Sequence, residues 1–97
     1  MFTGLVQDRG RIEAVDTTAD GVRLRVRTAL ASELREGDSV AVEGVCLTAT
    51  AVEPAGFRAD VITETLRRST LGGAEPGRPV NLEVDVLAKY VEKLVRT

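Results

Sequence analysis

Gly37-Asp38-Ser39-Val40-Ala41-Val42-Glu43-Gly44-Val45-Cys46-Leu47-Thr48-Ala49-Thr50 is the stretch that decides the fold. Val45, Leu47 and Ala49 alternate with Cys46, Thr48 and Thr50, the period of a strand with one apolar face. Glu43-Gly44 is a two-residue turn signal, so Val40–Val42 and Val45–Val52 read as a tight hairpin. The same rhythm recurs in both directions. Val22, Leu24 and Val26 alternate with Arg23, Arg25 and Arg27; Phe57, Ala59 and Val61 with Arg58 and Asp60; and Val80, Leu82, Val84 and Val86 with Asn81, Glu83 and Asp85. Residues 3–7 and 11–15 are two shorter candidates. Turn signals at Asp20-Gly21, Glu36-Gly37-Asp38, Pro54-Ala55-Gly56 and Pro76-Gly77 separate the runs. About six short strands at this spacing predict an all-β chain closed, or nearly closed, into a small antiparallel barrel.

Two brief helical pieces are expected near 29–35 and 63–69, the second opened by Thr63, whose oxygen can cap free amides. The tail changes period. Leu87, Val91, Leu94 and Val95 recur at helical spacing, with Lys89, Glu92, Lys93 and Arg96 largely off that stripe. Such a stripe docks on its own barrel or on another copy, and self-association is the expectation. The chain therefore divides into a barrel over 1–85 and a helix over 86–97. No internal repeat, linker or low-complexity segment is read.

Composition excludes several functions. The 97 residues amount to one domain, with net charge -2 and 3% aromatics. A concentrated basic face and stacking platforms for nucleic acid are both missing. Histidine is absent and Cys46 is the one cysteine, so a zinc cluster and a histidine-activated nucleophile within one chain are ruled out. A lone cysteine fits a reducing cytoplasm, and the chain begins with no signal-peptide pattern. No apolar run approaches a membrane span.

Three places offer chemistry. Cys46 and Thr48 share a strand face and, with Ser39, form a patch of hydroxyls and thiol. This suits an uncharged heteroaromatic ligand with polyol hydroxyls, although from residue type alone a buried cysteine beside a strand-forming threonine is the commoner reading. Main-chain groups near Val61–Thr63 are fixed donors and acceptors for a heterocycle edge, or an ordinary strand-to-helix connection. Asp85 ends a strand, as a holder of a ligand hydroxyl, a proton-transfer group or a solvated carboxylate.

Five strings, MFTGLVQ (1–7), GDSVAVEGVCLTAT (37–50), ADVITETLRRSTLG (59–72), VNLEVD (80–85) and AKYVEKL (88–94), resemble in the same order the riboflavin synthase and lumazine-binding family. The resemblance covers nearly the whole chain and implies a six-stranded antiparallel Greek-key barrel. Riboflavin-forming members carry two barrels in tandem and assemble as trimers. Two molecules of 6,7-dimethyl-8-ribityllumazine meet between barrels, and one donates a four-carbon unit to the other without a cofactor. By this likeness Phe2, Ser39, Cys46 and Thr48 match the first barrel's catalytic and binding set. Asp85 and the tail are similar to the end of the second barrel and its trimer-forming helix. The implied catalytic set is Phe2, Ser39, Cys46 and Asp85. The implied ligand contacts are Phe2, Thr3, Gly4, Ser39, Cys46, Leu47, Thr48, Val61, Ile62, Thr63 and Thr65, with no metal.

The departures are a missing second barrel, the missing inter-barrel histidine, Glu43 where the family usually has Asn, and Thr63 where Pro is common. A first-barrel start joined to a second-barrel finish is what a self-contained homo-oligomer, dimer or trimer, needs, and it favours a complete chain. The expectation is a flavin- or lumazine-binding protein holding riboflavin, FMN or the lumazine. The alternative is a riboflavin synthase acting at a homo-oligomer interface, and a third reading is a purely structural assembly barrel.

Overall fold

β1 (Asp8–Thr17), β2 (Gly21–Arg27), β3 (Ser39–Val42), β4 (Val45–Glu53), β5 (Gly56–Ile62) and β6 (Pro79–Val84) form one closed antiparallel barrel in the order β1-β2-β5-β4-β3-β6. This is a computed structural model, and it describes residues 2–95. Met1, Arg96 and Thr97 lie outside the described residues, as do the side chains of Leu87, Lys89 and Glu92 that the helical reading of the tail placed. The alternation read from the sequence sets the faces. Leu24, Val26, Val40, Val42, Leu47, Ala49, Phe57, Ala59, Val61, Val80, Leu82 and Val84 are buried in one core. Their strand neighbours point outward.

The Glu43-Gly44 turn has both φ angles positive, 51° and 77°. That is the twist of a type I′ hairpin, which matches the right-handed twist of its strands. Glu43 occupies a backbone region that Asn or Gly adopts more easily. Its carboxylate ties the turn to β6 in compensation, accepting from the Asn81 N–H at 2.7 Å. Its own N–H donates to the Asn81 carbonyl at 2.9 Å.

Several expectations are corrected. Residues 3–7 are not a strand, because Gly4 at φ 83° turns the chain out of extended geometry. They run beside β6 instead: the Gln7 N–H donates to the Leu82 carbonyl at 2.9 Å, and the Val84 N–H to Gln7 Oε1 at 2.7 Å. The piece near 29–35 is a 3-10 turn, Ala29–Glu33, capped by the Thr28 hydroxyl. α1 spans Thr63–Arg68, but Thr63 does not cap it. Its N–H and hydroxyl both donate to the Asp20 carbonyl, at 2.8 and 2.9 Å. A further 3-10 turn, Thr70–Gly73, is capped by Ser69. Val86 opens α2 (Val86–Val95) rather than continuing the last strand.

The backbone also repeats, although no repeat is visible in the sequence. β1, β2, a 3-10 turn and β3 are followed by β4, β5, α1, a 3-10 turn and β6. Exchanging β1 with β4, β2 with β5 and β3 with β6 reproduces every neighbour pair of the barrel. The registers agree residue by residue, since Arg11↔Pro79 answers Thr48↔Ser39 and Asp16↔Arg23 answers Glu53↔Gly56. The Gly77 N–H donates to the Ile12 carbonyl as the Gly37 N–H does to that of Ala49, at 2.7 and 2.8 Å. Each half carries a bulge, one between Ile12 and Ala14 and one between Ala49 and Ala51. The barrel thus has an internal pseudo-twofold axis.

Candidate ligand cleft

The bulge at Thr50 creates the site. An extra residue bends its strand and sharpens the local twist. The β4–β5 ladder runs from Glu53↔Gly56 to Ala49↔Ala59 and ends there, although β4 begins at Val45 and β5 continues to Ile62. Residues 45–48 instead pair with β3 on their other side. In an antiparallel strand the main-chain groups of successive residues point alternately to the two neighbours. The Ala49 N–H donates toward β3, to the Asp38 carbonyl at 2.8 Å, so Cys46 and Thr48 turn theirs toward β5. The Thr63 N–H donates toward β2, so Asp60 and Ile62 turn theirs toward β4. The last ladder pair uses at most the Thr48 carbonyl and the Asp60 N–H. The Thr48 and Cys46 N–H groups, the Cys46 and Asp60 carbonyls and the Ile62 N–H face a cleft beyond it.

The outer face beside this cleft is organised in two cross-strand rows. Ser39 pairs with Thr48, and the β3–β6 register, whose last pair is Val40↔Val84, leads the same row to Asp85 one residue beyond the end of β6. Cys46 pairs with Ala41, and Ala41 with Glu83. Each step is one strand spacing of about 4.8 Å. The structure therefore brings Ser39, Thr48, Cys46 and Asp85 onto one patch. Cys46 and Thr48 are exposed and Ser39 is half-buried. Leu47 and Val61 point into the core, 6% and 2% exposed, and offer the cleft their main chain alone. Ile62 points outward and is 57% exposed. Thr63 is committed to Asp20, and the Thr65 carbonyl accepts from the Ser69 hydroxyl at 2.7 Å. Asp85 Oδ1 accepts from the Ala88 N–H at 3.0 Å, in the first turn of α2. The Asp60 carboxylate is paired with Arg23 at 2.8 Å, whose hydrogen bond holds it below its ordinary value.

Glu83 is the residue that the sequence reading missed. It lies on the outer face yet is only 6% exposed, because the N-terminal segment covers it. It accepts from the Thr3 N–H and hydroxyl, both at 2.6 Å, and from the Gly4 N–H at 3.0 Å. The Thr3 hydroxyl, followed by the two amides, holds its carboxyl below the usual glutamate range. Alternation alone marks Glu83 as solvated; only the return of a segment 80 positions away reveals its partner. Through Glu83, Thr3 and Gly4 are delivered two strand spacings, about 10 Å, from Cys46. Phe2 is half-buried beside them in sequence.

Fold and site together define a class: a small all-β barrel with an outer cleft built from unladdered main chain and flanking hydroxyls. The chain belongs to the lumazine binding domain family, whose profile matches residues 3–85. It is 48% identical over 85 residues to the riboflavin synthase of Mycobacterium tuberculosis (strain ATCC 25618 / H37Rv), covering 86% of this chain and 42% of that one. The riboflavin synthase of Meyerozyma guilliermondii is 43% identical over 98 residues, covering 91% and 41%. That of Bacillus subtilis is 34% identical over 84 residues, covering 86% and 39%. The chain thus spans about two fifths of the length of the curated relatives it matches. Among the described residues no helix is long and apolar enough to cross a membrane, and no group of three His, Cys, Asp or Glu is placed to hold a metal ion.

Proposed function

We propose that the β4–β5 cleft binds the ring of a flavin or lumazine: riboflavin, FMN or 6,7-dimethyl-8-ribityllumazine. The observation that carries this reading is the set of N–H and C=O groups of Cys46, Thr48, Asp60 and Ile62 left facing each other past the end of a ladder. The pyrimidine edge of such a ring alternates donors and acceptors, and fixed main-chain groups recognise it without charge. The Ser39–Thr48–Asp85 row supplies partners for ribityl hydroxyls. Residues 1–85 form the binding unit, and storage or delivery of the ligand in the cytoplasm is the role.

A second reading is riboflavin synthase, favoured by identities of 34–48% to enzymes of that name. Turnover requires two lumazines in contact, so a second copy must bring its own cleft. The outward Val86, Tyr90, Val91, Leu94 and Val95 of α2 are 45–78% exposed and offer an apolar surface for that dimer or trimer. Catalysis then comes largely from holding the two reactants together, with Ser39, Cys46 and Asp85 as the polar groups nearest the exchange.

Absorbance of ligand-stripped protein mixed with 6,7-dimethyl-8-ribityllumazine, followed over hours, tests both readings. A stable perturbed lumazine spectrum supports binding alone. Growth of the riboflavin band above the protein-free rate establishes the synthase. An unchanged spectrum with lumazine and with riboflavin removes both. Where binding is seen, Thr48→Ala and Ser39→Ala each weaken it about tenfold, the worth of one hydrogen bond.

A further inference from the structure

The pseudo-twofold lays the frame of the cleft down a second time, between the start of β1 and the end of β2. There Arg9, Arg11 and Arg27 stand where Cys46, Thr48 and Asp60 stand in the first. With Thr28 and the Pro54-Ala55 turn they line an open cavity of about 480 Å³. Arg9 and Arg11 share the outer face of β1, and Arg11 lies directly across from Arg27. Elsewhere on the barrel the arginines are matched by carboxylates: Arg23 by Asp60, Arg25 and Arg58 by Glu53, and Arg78 by Glu43. Arg9 and Arg27 have no ion pair or side-chain hydrogen bond among the described residues. Among the described residues Arg11 donates only to the Gly77 carbonyl, at 3.0 Å. The one carboxylate in the cavity wall, Asp8, is engaged within that wall, accepting from the Thr28 hydroxyl at 2.7 Å and the Ala29 N–H at 3.3 Å.

Like charges directly across a ladder destabilise it, and here they persist in a chain of net charge -2. We infer that this cavity is a binding site for a small phosphate-bearing molecule. Guanidinium forks match phosphate oxygens geometrically, and an anion between them relieves the Arg11–Arg27 repulsion. The volume lies within the ~300–1,000 Å³ range of small-molecule sites, room for a phosphate with a sugar-sized body. The wall holds no aromatic side chain on which a nucleic-acid base would stack. Ala55, in the turn just before β5, and Ile62, at the end of β5, are seven residues apart, about 23 Å of extended chain, so one small ligand does not fill both this cavity and the flavin cleft.

Titration of the full chain with inorganic pyrophosphate, by calorimetry and thermal melting at constant ionic strength set with NaCl, tests the site. Saturable binding at one site with a raised Tm is expected. Arg27→Gln and Arg9→Gln each weaken it about tenfold or more, while the unliganded Tm of Arg27→Gln stays at or above that of the parent. Arg67→Gln, an exposed arginine on α1, leaves binding unchanged, and Arg27→Gln leaves the lumazine spectrum of the protein unchanged. The inference is overturned if NaCl alone reproduces the shift, if Arg27→Gln titrates like the parent, or if a single-stranded oligonucleotide binds more tightly than pyrophosphate at equal phosphate concentration.

Discussion

The two clefts related by the pseudo-twofold share a backbone and differ in what fills them. At the β1–β2 cleft the ladder reaches one pair further, to Arg11↔Arg27, and the Asp8 carboxylate occupies the Ala29 N–H. At the β4–β5 cleft the ladder stops at Ala49↔Ala59. The apolar Val45 stands where the twofold puts Asp8, and the Ile62 N–H, counterpart of that of Ala29, receives no carboxylate from it. The chain continues from β2 straight into a 3-10 turn, but from β5 into α1. A bulged antiparallel barrel opens such a cleft wherever the bulge peels one strand from its neighbour. Which main-chain groups of the cleft are satisfied within the chain, and which are left to a ligand, is then decided by one or two side chains.

The most damaging way to break the comparison is to remove what both clefts stand on. Phe57 is fully buried at the start of β5 and pairs with Val26 on one side and Val52 on the other. Phe57→Ala is expected to cost about 3–5 kcal/mol. A domain of this size has only about 5–15 kcal/mol in total, so chemical denaturation should show a large drop in midpoint and both clefts lost together. A loss below about 1 kcal/mol would mean that the ladder, not the core, holds the strands in place.

A milder change makes the main chain of the β1–β2 cleft resemble that of the β4–β5 cleft. Asp8→Ala leaves the buried Thr28 hydroxyl and the Ala29 N–H without their acceptor, at a cost of about 1–3 kcal/mol. Amide exchange gives the sharper readout. In the parent, Ala29 should be protected while Ile62, Cys46 and Thr48 exchange quickly, because main chain outside a ladder opens at little cost. In Asp8→Ala, Ala29 should exchange like Ile62. Added lumazine should slow Ile62, Cys46 and Thr48 and leave Ala29 untouched. Equal protection of Ala29 and Ile62 in the parent would erase the distinction between the clefts.

Much of this was legible in the residues. The alternation around Glu43-Gly44 specifies the strands, their buried faces and the hairpin, because period two and an outward polar row are local properties. Ser39, Cys46 and Thr48 could be placed on one face for the same reason. The Thr50 bulge could not be read, since a threonine in a strand looks the same in or out of register. The twofold was hidden because the halves share geometry rather than side chains: Arg9 and Arg11 answer Cys46 and Thr48, and little beyond Gly37 and Gly77 marks the equivalence. The role of Thr63 was misread as a cap because its true acceptor, the Asp20 carbonyl, is 43 residues away. Glu83 was overlooked for the same reason, its partners being at the opposite end of the chain.

Glu83 carries the smallest predicted effect, and one confined to the β4–β5 cleft. Its carboxylate accepts from the Thr3 hydroxyl and from the Thr3 and Gly4 amides, and these bonds hold its folded-state pKa below the ordinary value. A depressed carboxylate contributes stability above its unfolded pKa, about 4.3 for glutamate, and loses it as pH falls through the folded value. Docking of residues 3 and 4 should therefore be constant through neutral pH and loosen only in acid, below about pH 4.3. Exchange or chemical shifts of the Thr3 and Gly4 amides, followed from pH 7 to pH 3, should show one shared transition there, with the barrel core unaffected. Glu83→Gln should abolish that transition and weaken lumazine binding at neutral pH, while shifting Tm by less than about 3 °C. A midpoint at pH 6 or above, or an unchanged transition in Glu83→Gln, would mean that another group holds the N-terminal segment beside the cleft.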